Sequence, residues 1–419
     1  MNFDWMSTLN LNKKRVFLRA DLNIPIKNDQ ILQDFKLESI LPTIDFILKN
    51  EGKIVLATHI GRPEPGNKSD LLEKSLSTQI LIPWFKNRGY DIDYESDLLM
   101  DERKSHQKQN SILLLENLRF FVGERENSLK FAELLAATAD LYVNDAFGNI
   151  HRTDTSTTLL AKQFSPTKRS FGLLVEKELK NLDKIRLNKS DDFIVVLGGI
   201  KIKDKIAMLE NLMTNTDKQK ARAFIIGGGI ALAFLKAKGL NVGSIELDEQ
   251  TLGTAKKILH DAQENGVEII LPIDQVIEGS RVIDSRVVDS RVEDSKVEDL
   301  VEVVDVEKIP TSAKCIDIGP KTIKLFSQEI KKAKVIFTNG TMGIYDTQGG
   351  EVGTRSILQA IADSDALTVV GGGDATAATC IFGLQNKMDF LSTGGGATLK
   401  YLGCKHPEQE MPGLQAMLD

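Results

Sequence analysis

Short apolar runs alternate with amphipathic stretches along almost the whole chain. Residues 15–19, 53–57, 111–115, 141–144, 193–197, 223–226, 268–271, 335–338 and 368–370 form brief β-branched runs. Most are bounded by Gly, Asn or Asp, which predicts strands. Between them, 37–50, 129–138 and 202–212 carry apolar residues at helical spacing. This alternation predicts an α/β fold with parallel sheets covered by helices. A break falls at 172–190, where Gly172 precedes the charged helical run Val175-Glu176-Lys177-Glu178-Leu179-Lys180-Asn181-Leu182. A new strand then begins at Phe193. The expectation is a domain over 1–172, a hinge helix over 173–190 and a second domain over 191–403.

Composition narrows the class. A chain of 419 residues, 42% hydrophobic and 27% charged, suffices for two buried cores. The net charge of −6 argues against general nucleic-acid binding, so no nucleic-acid partner is expected. The three cysteines, Cys315, Cys380 and Cys404, form no CxxC pair, which argues against a disulfide framework or structural zinc. The first eleven residues carry Asp4 and no apolar signal core, and no run of 18 apolar residues occurs. No membrane association is expected, and a cytoplasmic protein is. Residues 280–299 read SRVID, SRVVD, SRVED, SKVED. A period of five fits neither strand nor helix, and the charges balance, so a solvated surface extension is expected, with a partner-binding arm as the alternative.

The second half holds four glycine-rich turns: Leu197-Gly198-Gly199-Ile200-Lys201, Ile226-Gly227-Gly228-Gly229, Val370-Gly371-Gly372-Gly373-Asp374 and Ser392-Thr393-Gly394-Gly395-Gly396-Ala397. Three follow a clear strand pattern and are expected to lead into helices. Such turns let backbone N–H groups approach an anion, and a helix N-terminus adds unpaired donors. A single run is more often a tight turn, but four together point to a nucleotide site. None is a Walker A or a GxGxxG fingerprint. Lys201 and Lys205 would share one face of a following helix, either as solvated residues or as phosphate partners. Asp374 is either an N-cap or a Mg²⁺ ligand.

In the first half, polar groups cluster just after the predicted strands: Asp21 and Asn23, His59 and Arg62, Arg119, and His151 and Arg152. Arg62, Arg119 and Arg152 follow three different strands, so a parallel sheet would converge them on one edge. Convergent arginines suit a small phosphorylated or carboxylated substrate. His59 is given a binding role and no proton transfer. A basic anion site in one domain and a nucleotide site in the other make a two-domain phosphotransferase. His151-Arg152-Thr153-Asp154 looks like a protein-kinase catalytic loop, but no DFG or VAIK accompanies it.

At this level of detail the chain resembles the phosphoglycerate kinase family. The N-terminal half carries Arg19-Ala20-Asp21-Leu22-Asn23-Ile24-Pro25, His59-Ile60-Gly61-Arg62-Pro63, Glu116-Asn117-Leu118-Arg119-Phe120, Asn144-Asp145-Ala146-Phe147-Gly148 and His151-Arg152. The C-terminal half carries Leu197-Gly198-Gly199-Ile200-Lys201, Asp204-Lys205, Asp317-Ile318-Gly319-Pro320-Lys321-Thr322, Asn339-Gly340, Gly371-Gly372-Gly373-Asp374 and Ser392-Thr393-Gly394-Gly395-Gly396-Ala397. They occur in family order over roughly residues 15 to 415. The resemblance implies two Rossmann-like domains. It also implies a C-terminal segment, 404–419 with Pro412-Gly413-Leu414, that returns to the N-domain. It implies reversible, Mg²⁺-dependent transfer between ATP and the carboxylate of 3-phosphoglycerate, by a monomer whose domains close for in-line transfer. Asp21, Asn23, Lys36, His59, Arg62, Arg119 and Arg152 would hold phosphoglycerate. Lys36, Lys201, Gly394, Gly395 and Gly396 would stabilise the phosphoryl group in flight. Gly199, Lys205, Gly228, Asn339, Asp346, Gly372, Gly373, Asp374 and Ala375 would hold ATP or ADP, with Asp374 on the metal.

The departures from the family pattern matter as well. Lys36 stands where the family usually has an arginine facing the transferring group, and lysine lacks the planar fork. Asp346 replaces a usual Glu, Thr341 a Pro, Ala375 a Ser or Thr with Thr376 beside it, and Asp154 a second His. These changes motivate the alternative of a catalytically weakened relative that binds the same ligands and acts through partners.

Overall fold

The computed structural model describes residues 5–64, 75–96, 107–187, 190–214, 220–278 and 301–418. The repeats at 280–299 lie outside these. The chain divides into two compact units, Met1–Lys180 with Cys404–Asp419, and Asn181–Gly403.

The first unit contains β1 (Arg15–Ala20), β2 (Ile26–Lys27), β3 (Gln30–Ile31), β4 (Lys53–Ala57), β5 (Ile92–Glu95), β6 (Ile112–Leu115), β7 (Leu141–Asp145) and β8 (Arg169–Phe171). Six of these form one sheet in the order β5-β6-β4-β1-β7-β8, parallel throughout. Parallel strands are covered on both faces, which is why they read as continuous apolar runs. Val16, Leu18 and Ala20 of β1 face one cluster, with Ile40, Ile44 and Ile47 of the helix Phe35–Lys49. Phe17 faces the other, with Tyr142, Leu160 and Ala416. Each fully buried side chain of this kind contributes roughly 1.5–3 kcal/mol. By the alternation of a strand, Arg19 falls on the Phe17 face, yet it is wholly buried.

The second unit contains β9 (Phe193–Leu197), β10 (Ala223–Ile226), β11 (Glu268–Ile270), β12 (Asp274–Glu278), β13 (Val301–Asp305), β14 (Cys315–Ile318), β15 (Val335–Asn339), β16 (Leu367–Gly371) and β17 (Phe390–Leu391). Its main sheet runs β11-β10-β9-β15-β16-β17 and is also parallel. The helix Leu173–Arg186 carries the chain from one unit to the next.

The pattern reading missed a separate antiparallel sheet in the order β13-β12-β14. Its strands are short and β13 is charged and half exposed, so no apolar run marks it. Its register places Glu278 opposite Val301. The chain therefore enters and leaves the 280–299 repeats at one end of a β-ladder. Strands β5 and β8 were also missed because polar residues interrupt them, and β2, β3 and β17 because they are two residues each.

The C-terminal segment adds two short helices, Pro407–Glu410 and Pro412–Leu418. The Gly413 N–H donates to the Ile150 carbonyl at 2.9 Å, close to Asn149 and Arg152. A Cβ on Gly413 would lie 2.8 Å from Ile150 Cγ1 and 2.9 Å from both the Ile150 carbonyl oxygen and Thr157 Cγ2. Gly413→Ala is therefore expected to destabilise the protein by about 1–3 kcal/mol through overpacking. A thermal melt checks this, and an unchanged Tm would show that the segment is not held there.

Candidate functional site

In a parallel sheet every strand ends at the same edge, and ligands bind where neighbouring connections diverge. β1 lies between β4 and β7 in the first sheet, and β9 lies between β10 and β15 in the second. Both sets of candidate residues lie just beyond these strand ends.

In the first unit, Asp21 and Asn23 follow β1, and His59 and Arg62 follow β4. Arg119 sits in the 3-10 turn Leu118–Phe120 after β6, and Arg152 in the loop after β7. Lys36 lies in the first turn of Phe35–Lys49. Lys36 Nζ donates to Asp21 Oδ2 at 2.7 Å, so the lysine is tied to a carboxylate of the same site. The Asn23 amide oxygen accepts from Gly61 N–H at 2.9 Å, and Arg119 Nη1 donates to the Gly61 carbonyl at 2.7 Å. These bonds link the loops after β1, β4 and β6. Arg119 Nη2 lies 3.7 Å from Asp154 Oδ2, so Asp154 draws on one of the clustered arginines. Arg62 is exposed.

The charge balance leaves donors unspent. Arg119 Nε and Arg152 Nε are buried without a hydrogen-bond partner among the described residues. Burial lowers the Arg119 guanidinium to about 10, Asp154 opposes this, and Arg152 adds to it. Buried unpaired donors are costly in a bare site and are satisfied by an anion. Burial alone would raise Asp21, but Lys36, by its charge and its hydrogen bond, holds it at about 2, with Arg19 adding to the effect. Because that value is depressed, the pair stabilises the fold above the unfolded carboxylate range. The contribution is lost as pH falls through about 2. Burial pushes His59 well below the usual histidine range, and Arg19 adds to this.

Beneath these residues lies a buried network that the motif reading did not assign. Arg19 Nε donates to Ser156 Oγ at 2.7 Å, and its Nη1 reaches the Ala20 carbonyl. Ser156 Oγ donates to Glu124 Oε1 at 2.6 Å, and Arg19 Nη2 lies 4.0 Å from Glu124. Both charged side chains are fully buried. Removing one partner of such a pair costs about 3–5 kcal/mol. The available signal was a charged residue inside an apolar strand.

In the second unit the glycine turns interlock. Gly198 N–H donates to the Asn339 carbonyl, Gly199 N–H to Thr341, Gly228 N–H to Met342 and Ile230 N–H to Gly199. Gly228 has φ of +61°. A Cβ there would sit 2.7 Å from both Gly199 N and Thr341 O, so only glycine fits. The Asn339 amide donates to the Gly371 carbonyl at 2.8 Å and is buried. It joins β15 to β16. Asp346 is exposed.

Three expectations need correction. Lys201 and Lys205 do not share a helix face. Gly199, with φ of +84°, diverts the chain, Lys201 is in the loop, and Lys205 closes a 3-10 turn over Lys203–Lys205 before the helix Ile206–Thr214. Lys205 Nζ instead lies 3.4 Å from the Lys201 carbonyl. Asp374 is not an N-cap. That position belongs to Gly372, and Asp374 is exposed in the first turn of Gly373–Ile381. Gly394 is not an available donor, because its N–H is bonded to Ser392 Oγ at 3.1 Å. Gly395 and Gly396, at the start of the helix Gly396–Gly403, keep the orphan positions of a helix start. Ala375 is buried and offers only its backbone. The Thr376 hydroxyl beside it is buried against the Ser392 carbonyl.

Burial lowers the Lys205 ammonium, opposed by Asp204 and Asp374. Lys205 Nζ lies 4.0 Å from where a Cβ on Gly199 would be. A buried lysine beside a glycine turn and a helix-start carboxylate is an arrangement suited to phosphate oxygens.

The family model for phosphoglycerate kinase matches residues 6–405. The chain belongs to the phosphoglycerate kinase family. A phosphoglycerate kinase of Koribacter versatilis is 36% identical over 98% of this chain and 97% of that protein. One of Dictyoglomus turgidum is 38% identical over 98% and 96%. The phosphoglycerate kinase structure from Coxiella burnetii superposes with a TM-score of 0.78 at 31% identity. It covers 100% of this chain and 98% of its own. Phosphoglycerate kinases transfer phosphate to a carboxyl group, and this chain shares their two-domain α/β fold.

Gly228→Ala is expected to cost about 1–3 kcal/mol through its left-handed backbone and the two close backbone contacts. It is also expected to weaken ADP binding. Gly373→Ala, whose Cβ would meet nothing within 4 Å, is expected to leave Tm unchanged. Thermal melts of the two variants, with ADP titrated by calorimetry, check the contrast.

Proposed function

We propose that the chain is an active phosphoglycerate kinase, converting ADP and 1,3-bisphosphoglycerate to ATP and 3-phosphoglycerate, and the reverse. The observation that carries this is the pair of buried, unbonded guanidinium donors of Arg119 and Arg152. They sit at the same sheet edge as the Lys36–Asp21 pair. An anion with one phosphate and one carboxylate satisfies such donors bidentately. Asp21, Asn23, His59 and Arg62 complete its binding site. In the other unit, Lys205 and the turns at Gly199, Gly228, Gly372 and Gly373 take the nucleotide phosphates. Asn339 and Asp346 border the nucleoside, and the Ala375 backbone N–H faces the phosphates.

Transfer is direct and in line. The acceptor carboxylate oxygen attacks the terminal phosphorus of ATP as the bond from that phosphorus to the β-bridging oxygen breaks, and ADP leaves with the electron pair. The protein positions the two reactants, neutralises the spreading charge and excludes water. Lys201, Lys36 and the N–H groups of Gly395 and Gly396 provide the compensating positive charge and donors. Membership of the family implies that transfer follows domain closure.

No group of three or more His, Cys, Asp or Glu side chains among the described residues would hold a metal. A single exposed carboxylate, Asp374, at a phosphate-binding helix start fits Mg²⁺, which takes one or two carboxylates with phosphate oxygens. When bound, the ion neutralises nucleotide phosphate charge. We read the enzyme as a cytoplasmic monomer that takes no nucleic acid, and the net charge of −6 supports the last point.

The weakened-relative alternative gains little from the site, since Lys201, Lys205, Asp374 and the arginines are all present. A coupled assay with ATP and 3-phosphoglycerate decides it. Turnover is expected. Binding without turnover would favour a non-catalytic relative, and turnover only with another acid would favour a different carboxylate kinase. Lys36→Arg is expected to raise kcat by up to about tenfold, because a planar fork can hold Asp21 and the moving phosphoryl group together. No gain, or a loss, would show that lysine serves equally well.

A further inference from the structure

We propose that Arg19 is a positioning residue that fixes His59 as the neutral imidazole protonated at Nε2. His59 then offers the anionic substrate an N–H donor rather than a positive charge. The substrate's identity rests on the phosphoglycerate reading above. The state of the ring does not.

The inference begins with where β1 places a charge. Arg19 is fully buried and all of its polar groups have local business. Its Nε is spent on Ser156 Oγ at 2.7 Å and its Nη1 on the Ala20 carbonyl. Its Nη2 lies 3.3 Å from His59 Nδ1. A guanidinium has donors only and keeps its proton. The nitrogen that it faces must therefore present a lone pair. The Asn149 side-chain amide lies 3.5 Å from the same Nδ1 and supplies a second donor to it. With Nδ1 accepting, a neutral ring carries its proton on Nε2.

An imidazolium would put an Nδ1–H against the Arg19 fork at a ring that is itself buried. The charged groups facing the ring are Arg19 from β1, Asp21 from the loop after it, Lys36 from the helix Phe35–Lys49 and Arg119 from the turn after β6. Only Asp21 favours the charged ring, and it is already paired with Lys36 at 2.7 Å. Glu124, which balances Arg19, lies 4.0 Å from Nη2 and is tied to Ser156 by the Ser156 backbone N–H and hydroxyl. It holds the guanidinium in place from behind. Burial, with Arg19 next, lowers the His59 pKa in agreement with this geometry.

The consequence is a substrate site whose His59 contribution does not change over the pH range in which a histidine ordinarily titrates. The arginines and Lys36 supply the charge, and His59 supplies direction.

The chain has five histidines, so their ring nitrogens are resolvable by long-range ¹H–¹⁵N correlation on the full ¹⁵N-labelled protein without ligand. His59→Gln assigns the signal. The expected pattern is a protonated Nε2 and an unprotonated Nδ1, unchanged between about pH 5 and pH 8. A proton on Nδ1, or a titration near the ordinary value of about 6.5, would overturn the proposal. A second measurement uses Arg19→Gln and the Kd of 3-phosphoglycerate. The ratio of variant to wild-type Kd is followed over the same range, so that titration of the ligand's own phosphate cancels. Freed of the guanidinium, His59 is expected to gain a proton as pH falls, and the ratio to drop by more than about threefold. A flat ratio in a folded variant would overturn the role of Arg19. If the variant does not fold, the wild-type spectra alone decide. Absence of turnover with the tautomer as stated would count against the functional reading, not against this one.

Discussion

The parallel alignment of the strands in each large sheet is the constraint on which everything else depends. Parallel strands cannot be joined by tight hairpins, so each connection leaves at the carboxyl edge and returns through a helix. That rule brings residues as distant as Asp21, His59, Arg119 and Arg152 to one edge. It also stacks the turns after β9, β10 and β15 closely enough that Gly198, Gly199 and Gly228 bond across strands. The order of strands then decides which loops flank the central one.

Charge placement at these edges has a cost below the surface. The first unit buries Arg19, Glu124, Arg119 and Asp154, or nearly so. Such groups add little net stability compared with an apolar core of the same shape. They do supply orientation. The Arg19–Ser156–Glu124 chain fixes the floor of the site, and the bonds through Gly61 and Asn23 fix its walls. The second unit uses less charge and more backbone, which suits a ligand that is itself a polyphosphate.

Most of this was legible in the chain. The apolar runs marked the central strands to within a residue or two, because buried parallel strands leave a continuous signature. The loop-end residues were also visible, since charge just after an apolar run has few structural uses. Arg19 was not assigned, because within its motif it reads as one more basic residue. Only the strand's alternation turns it inward. The antiparallel sheet was invisible because β13 carries two acidic residues and sits half exposed after the repeats. The lysine pair does not share a helix face because the left-handed turn at Gly199 delays the helix to Ile206. Family motifs named Gly394, but only the folded loop shows that its N–H is already bonded to Ser392 Oγ.

The central claim is that two chemically separate sites occupy two sheet edges, one for phosphoglycerate and one for nucleotide. Calorimetric titration of Arg152→Gln and Lys205→Met with 3-phosphoglycerate and with ADP tests it most directly. Arg152→Gln is expected to weaken 3-phosphoglycerate by about tenfold or more, the value of one charge-assisted hydrogen bond, and to leave ADP within about twofold. Lys205→Met is expected to do the reverse. Folded variants that each lost both ligands equally, or lost the opposite one, would contradict the account.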